Sequence, residues 1–444
     1  MKRFLDKSLL SWKDQSSRKP LLLQGARQVG KTYLLEEFGR REFNNYHLFD
    51  FTEAPALQRI FEQDLNPERI IQDLSIYADR DLSLAEDLII FDEIQDSPTA
   101  LTSLKYFQKE YPEAFICASG SLLGIGLAES PFPVGKVDRL HLYPMTFFEF
   151  LLAIGQERLH QALMGAKESG SVSPMVHEKT WRYLKYYFVT GGLPEVVATF
   201  VQHQEQLNTA FKAVRDLQGK LHKDYLDDIA KHSGKTKAVH ITTVFNNVPM
   251  QLARETTGTK KFIFKNVLPS DSKYATLRDP IEWLIKAGLI HKVPICKRCR
   301  LPLKAYTDEN KFNLYLFDIG MLGAMIDLSY QSILNYDYGS YKGYFAENFV
   351  LQELVAQWNK TFFSWNENTA SIEFLMALEG EPVPMEVKAN KSSKAKSLSV
   401  FCQKYQPQKT VLFSGQPLKI SASGQDNCPL YLASLFPIEK KDRS

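Results

Sequence analysis

The sequence predicts an α/β protein in which a parallel sheet presents a ligand site along its C-terminal edge. Three observations lead there. An apolar run at residues 20–23 turns through Gly25 and Gly30 directly into a helical pattern at 33–38. A second run, Leu88-Ile-Ile-Phe91, stops abruptly at Asp92 and Glu93. A third, residues 114–118, ends in Ser119-Gly120-Ser121. Runs this short and this uniformly apolar suit strands buried on both faces, as parallel strands are.

Length and composition bound the rest. At 444 residues the chain exceeds what one hydrophobic core usually supports. Lysine and arginine total 54 against 51 acids, a net +3, so any surface basic enough for nucleic acid must be local. Five cysteines form no disulfide framework and suit a reducing compartment. No run reaches the roughly 18 apolar residues of a membrane span, and residues 1–7 lack a signal-peptide core. A cytoplasmic protein with no membrane contact is the expectation.

Taken in order, Gly25-Ala26-Arg27-Gln28-Val29-Gly30-Lys31-Thr32 has the spacing of a P-loop. The glycines let successive backbone N–H groups face a phosphate, and the following helix adds the positive end of its dipole. Lys31 would reach the β- and γ-phosphates of ATP, and Thr32 would hold Mg²⁺. A strand is expected at 46–51 and polar helical sequence at 56–77. Asp92, at the end of the 88–91 strand, would hold Mg²⁺ through water, and Glu93 would polarise the attacking water. In P-loop ATPases with a catalytic glutamate, an inserted strand carries a polar sensor, and Ser119 or Ser121 fits it; a Ser-Gly-Ser helix cap is the alternative. Lys31, Glu93 and Ser119 form the expected catalytic set. A fifth strand is drawn at 138–143 and a helix at 147–154, with Arg139 or Arg27 as a cationic γ-phosphate contact.

Several of these stretches together, Gly-Ala-Arg-Gln-Val-Gly-Lys-Thr at 25–32, Phe-Asp-Glu-Ile-Gln-Asp at 91–96, Ala-Ser-Gly-Ser at 118–121, Leu-Tyr-Pro-Met-Thr-Phe-Phe-Glu-Phe at 142–150 and Gly-Gly-Leu-Pro-Glu at 191–195, resemble the prokaryotic AAA-type ATPases that carry a C-terminal domain of unknown function. The resemblance covers nearly the whole chain. It implies an ATPase and names no substrate.

The expected division is a P-loop core at 1–155, a helical lid or connector at 156–205, a winged helix-turn-helix at 206–330 and a C-terminal domain at 331–444. Residues 156–176 read as a polar connector. Helices are expected at 207–228, 244–255 and 272–287, the last two joined through Lys260, Lys261 and Lys265. A two-stranded wing at 291–295 and 303–306 completes the pattern. Lys273, Arg278, Lys297, Arg298 and Arg300 would then touch phosphates, or else line a solvated connector. Cys296 and Cys299 form a single Cys-x-x-Cys without the second pair that a structural zinc site usually has.

In the last hundred residues a helix begins near Gly343 with Glu347 in its first turns, and two strands follow at 371–375 and 383–389. Alternation points Glu386 and Lys388 to one side, and a hairpin would add Glu373. Helix, strand and strand with Glu-x-Lys is similar to the restriction-endonuclease-like (PD-D/E-x-K) superfamily. The resemblance implies a nuclease site of Glu347, Glu373, Glu386 and Lys388 with a second divalent metal, although glutamate stands where aspartate is usual. Lys388, Lys391, Lys394, Lys396, Lys404 and Lys409 follow with no acid between 388 and 409. The functional expectation is an ATPase coupled to nucleic acid, DNA more than RNA. Its alternatives are an ATP-gated nuclease and a nucleotide-dependent switch binding a protein partner, and a homo-oligomer is open under every reading.

Overall fold

The apolar runs at 20–23, 88–91 and 114–118 do form strands, and their uniform burial follows from a sheet with all its members parallel. These are β1 (Leu21–Gln24), β2 (Tyr46–Asp50), β3 (Leu88–Asp92), β4 (Phe115–Gly120) and β5 (Asp138–His141), arranged β2-β3-β4-β1-β5. The computed structural model describes residues 1–121, 133–254, 261–268, 273–335, 343–389, 395–421 and 424–438. Strand β4 is inserted between β1 and β3, so the ends carrying Gln24, Asp92 and Gly120 lie side by side. Phe49, Phe51, Phe61, Phe91 and Phe107 pack into one core against this sheet, each worth on the order of 2–3 kcal/mol of burial. The polar stretch at 56–77 forms two helices, Pro55–Gln63 and Pro67–Ala78, because Asn66 caps a new start through the Glu68 N–H.

The chain divides into two compact units, residues 1–143 with 286–288 and residues 144–285 with 289–444. The second holds a mixed seven-stranded sheet of β6 (Ile290–Cys296), β7 (Thr307–Leu316), β8 (Phe363–Glu367), β9 (Ala370–Leu378), β10 (Glu381–Val387), β11 (Thr410–Ser414) and β12 (Gln425–Pro429). Their order is β12-β11-β10-β9-β8-β6-β7.

Two expectations in this unit need correction. Residues 156–176 are no connector: Glu157–Ser169 is helical, with Leu159, Leu163 and Ala166 buried at helical spacing and Gly170 ending it in a left-handed conformation. Three helices, Leu207–Ser233, Lys235–Ala253 and Tyr274–Lys286, do precede a two-stranded ribbon. That ribbon is not a free wing, because β6 runs parallel to β8 and the pair ends the larger sheet. Its second strand starts at Thr307, since Leu303–Tyr306 is a 3-10 turn behind Pro302, which has no N–H for a ladder. Lys260, the expected helix start at 272, Lys391 and Lys394 lie outside the described residues.

The Gly-Gly turn at 191–192 is a structural junction. Gly192 N–H donates to Asp318 Oδ2 at 2.6 Å and Gly192 O accepts from Met145 N–H at 2.7 Å. A Cβ on Gly192 would stand 2.2 Å from Met145 O. Asp318 is fully buried, and burial pushes its carboxyl up to about 6 against the opposing pull of its N–H donors and Arg215.

Candidate active site

Each end of the nucleotide-like site comes from a strand that stops at the same sheet edge. Lys31 opens the helix Lys31–Glu42 directly behind Gly30, whose φ of 87° is left-handed. Gly25 admits no side chain, since a Cβ there would lie 2.2 Å from Leu142 O. Lys31 Nζ donates to Gly25 O at 3.2 Å and Ala26 O at 2.9 Å. The lysine is 6% exposed, and burial lowers its pKa against the attraction of Glu93 and Asp92.

Thr32 Oγ1 donates to Asp92 Oδ2 at 2.6 Å, and Ser119 Oγ donates to Asp92 Oδ1. Burial raises the Asp92 carboxyl, opposed by those two hydroxyls. The next residue, Glu93, has a left-handed φ of 48°, an uncommon conformation for a residue with a side chain. Its Oε2 accepts from Gln95 Nε2 at 2.6 Å and from Ser121 Oγ at 3.4 Å, and Ser121 Oγ in turn accepts from Arg27 Nε at 3.2 Å. Gln28 and Val29 complete the bend, Gln28 with φ 64° and Val29 fully buried. The structure thus brings Lys31, Thr32, Asp92, Glu93, Ser119 and, through Ser121, Arg27 to one edge.

Arg139 is a correction to the sequence reading. It pairs with Leu22 in the β1–β5 register, two residues short of the sheet edge, and lines a cavity with Lys7, Ser8 and Trp12 of the N-terminal helix. Residues that the sequence reading left out are Gln95, Arg3 and His141. Arg3 donates to Val29 O at 2.8 Å and to Tyr143 O at 2.5 Å. His141 is pushed down to about 4 by burial and by Lys31, so it is neutral at pH 7. Gln95 was open to discovery as the residue two positions past Glu93. Arg3 and His141 carry no local signal.

In the C-terminal cluster, Lys388 Nζ lies 2.6 Å from Glu386 Oε1, as strand alternation requires. The antiparallel β9–β10 register runs as far as Met385 opposite Phe374, the residues next to Glu386 and Glu373, and Glu373 Oε2 accepts from Val387 N–H at 3.1 Å. Glu386 Oε2 accepts from Leu398 N–H at 3.0 Å. Glu347 sits on the helix Gly343–Trp358 and accepts from Tyr315 OH at 3.3 Å. Tyr315 was not foreseen. Burial first, then Glu347 and Glu373, push its phenol well above the usual range. Among the described residues no three His, Cys, Asp or Glu side chains are grouped so as to hold a metal. At least one oxygen of each glutamate is engaged by the protein's own donors, and a second divalent ion at this cluster is not shown. The lysine run is likewise no uniform free face, since Lys404 pairs with Glu367 and Lys388 with Glu386.

Cys296 and Cys299 pack with Trp365, Phe401 and Leu412. Burial raises their thiols to about 12 and 11, as befits core cysteines. No helix among the described residues is long and apolar enough to cross a membrane.

Residues 17–151 match the family model of an AAA domain. Residues 182–332 and 342–431 match two domains of unknown function, DUF8612 and DUF4143. No curated protein gives a significant match. Among solved structures, a Walker-type ATPase of Pyrococcus abyssi is similar at 17% identity and a TM-score of 0.44, over 73% of this chain and 95% of that one. The ORC1 protein of Aeropyrum pernix, solved in complex with DNA, is similar at 12% identity and a TM-score of 0.30, over 73% of this chain and 90% of its own. The P-loop and the parallel sheet around it lie within the segment that matches the AAA domain, and the two segments that match domains of unknown function follow it in the chain.

Proposed function

We propose that the protein hydrolyses ATP at the edge formed by the P-loop, Asp92 and Glu93, and that its C-terminal part engages nucleic acid. The observation that carries the first half is the 2.6 Å contact between Thr32 Oγ1 and Asp92 Oδ2 beside Glu93. A hydroxyl and a carboxylate are the hard oxygen donors Mg²⁺ prefers, and Mg²⁺ takes its remaining ligands from water and substrate phosphate. Thr32 would hold it directly and Asp92 through water, and with ATP it supplies neutralising charge across the β- and γ-phosphates. Lys31 would exchange the Gly25 and Ala26 carbonyls for phosphate oxygens. The backbone N–H groups of residues 25–32 would grip the same phosphates. Glu93, aimed by Gln95 and Ser121, takes a proton from the water whose oxygen bonds to the γ-phosphorus. The bond from that phosphorus to the β,γ-bridging oxygen breaks, leaving ADP and phosphate. Ser119 keeps Asp92 oriented, and Arg27 is the cationic contact.

Phosphate release by the purified chain tests this. Lys31→Ala should weaken ATP binding about a hundredfold, from the loss of charge-assisted hydrogen bonds. Glu93→Gln should bind ATP and turn over roughly a hundredfold more slowly or worse.

The second half rests on Lys388 and the acid-free run that follows it to 409. Lysines that contact phosphates bind through counterion release, so retention of DNA or RNA in a gel should weaken steeply with salt. Because Glu373 stands where the nuclease pattern usually has aspartate, the reading is binding without cleavage. Plasmid cut in Mg²⁺ or Mn²⁺ and spared by Lys388→Ala would overturn that and restore the nuclease. Absence of any nucleic-acid retention, with a polypeptide captured instead, would favour the switch.

A further inference from the structure

We infer that Arg3 is a positioning residue for the phosphate-binding loop, an inference that rests on the nucleotide-site reading above. Arg3 is 7% exposed and forks between two backbone carbonyls, Val29 O at 2.8 Å and Tyr143 O at 2.5 Å. Val29 is the last residue before Gly30, and Tyr143 lies two residues past the β5 end at His141.

Two consequences follow from geometry. The carbonyl of Val29 and the N–H of Gly30 belong to one planar trans peptide and point in opposite directions. By drawing Val29 O to itself, Arg3 turns the Gly30 N–H the other way, the direction from which a phosphate must come for the loop to grip it. The second concerns the two ends of the loop. Gly25 already lies against Leu142, where a Cβ would meet the carbonyl at 2.2 Å, and Leu142 N–H donates to Gln24 O at 2.7 Å. Arg3 ties the far end, at Val29, to the very next residue, Tyr143. Both ends of the bend are thereby fixed to one short backbone segment, and the loop is held near its phosphate-binding shape. Guanidinium suits the task because its donors form a rigid planar fork, whereas an ammonium reaches as a single point.

The test uses the full chain, with Arg3→Ala and Arg3→Lys, titrated by calorimetry with ATP and with inorganic tripolyphosphate. Arg3→Ala should weaken both ligands by the same factor, about tenfold or more, because charge-assisted hydrogen bonds that orient the loop are lost. In steady-state phosphate release KM should rise by more than kcat falls. Arg3→Lys should lie between the alanine variant and wild type. Arg3→Ala with wild-type affinity for both ligands, or with only a lowered unfolding temperature, overturns the assignment. A selective loss of ATP with tripolyphosphate spared does so too, since it would put Arg3 at the nucleoside. If Arg3→Ala does not fold, Arg3→Lys decides alone, and wild-type affinity in it is contradictory. A wild-type chain that binds neither ligand while remaining folded removes the nucleotide site itself, a failure distinct from one confined to the Arg3 variants.

Discussion

Asp92 is held from both sides, by Thr32 on one oxygen and Ser119 on the other, in a setting buried enough to raise its carboxyl. Removing one hydroxyl therefore frees the acid to rotate without emptying the loop. Ser119→Ala should slow turnover by about tenfold, the scale of one hydrogen bond to a charged group, while ATP affinity stays within about threefold. Stopped-flow phosphate release with parallel titration checks it; a variant that loses affinity but keeps its rate would put Ser119 on the nucleotide instead. Gly25→Ala is the steric counterpart. Its Cβ would meet Leu142 O at 2.2 Å, so the loop must shift and nucleotide binding should be lost, as read by calorimetry. These residues were legible because their signals are local: two glycines, a lysine, a hydroxyl and an acid pair at fixed offsets. Arg3 was not, because the carbonyls it holds are 26 and 140 residues away.

Among the elements, the helix Gly343–Trp358 buries eleven of its sixteen residues, and its polar residues do structural work that a search for catalytic acids overlooks. Asn348 bonds both Leu316 N–H and Leu316 O, and Gln352 accepts from Ile319 N–H at the start of the helix Ile319–Met325. Glu353 accepts from Phe147 N–H at 3.0 Å, at the start of the helix Phe147–Ala153. Burial raises the Glu353 carboxyl from 4.5 to about 8, with Glu149 adding to the effect. A raised carboxyl means that between those values the folded chain binds more protons than the unfolded one, so stability falls as pH climbs from 4.5 toward 8. Glu353→Gln keeps an acceptor for Phe147 and cannot ionise. Chemical denaturation at pH 5 and pH 8 should show wild type losing more stability than the variant, and equal losses would contradict the buried-acid account. Sequence periodicity found this helix and the β9–β10 hairpin. It missed the helix Glu157–Ser169, whose surrounding glycine and serines outweighed the Leu159, Leu163, Ala166 spacing. It also read residues 291–295 and 303–306 as a two-stranded wing, since nothing local in a strand tells which remote strand will pair with it.

For the whole molecule, the parallel sheet was readable from three apolar runs, whereas the insertion of β4 between β1 and β3 rested on what such ATPases generally do. The seven-stranded sheet was not readable as one object, because β6 and β8 lie on either side of long helical segments. If hydrolysis serves nucleic-acid engagement, single- or double-stranded DNA should raise the phosphate-release rate severalfold, and Lys388→Ala should diminish that stimulation without changing the basal rate. An unchanged rate across DNA and RNA would uncouple the two activities. The central claim is that the bend at residues 25–32 grips a triphosphate and that Glu93 drives its hydrolysis. It is tested most directly by single-turnover hydrolysis of ATP prebound to wild type, Lys31→Ala and Glu93→Gln. The account predicts rapid phosphate release from wild type, no retained nucleotide in Lys31→Ala, and intact ATP held by Glu93→Gln; phosphate released by Glu93→Gln at the wild-type rate would contradict it.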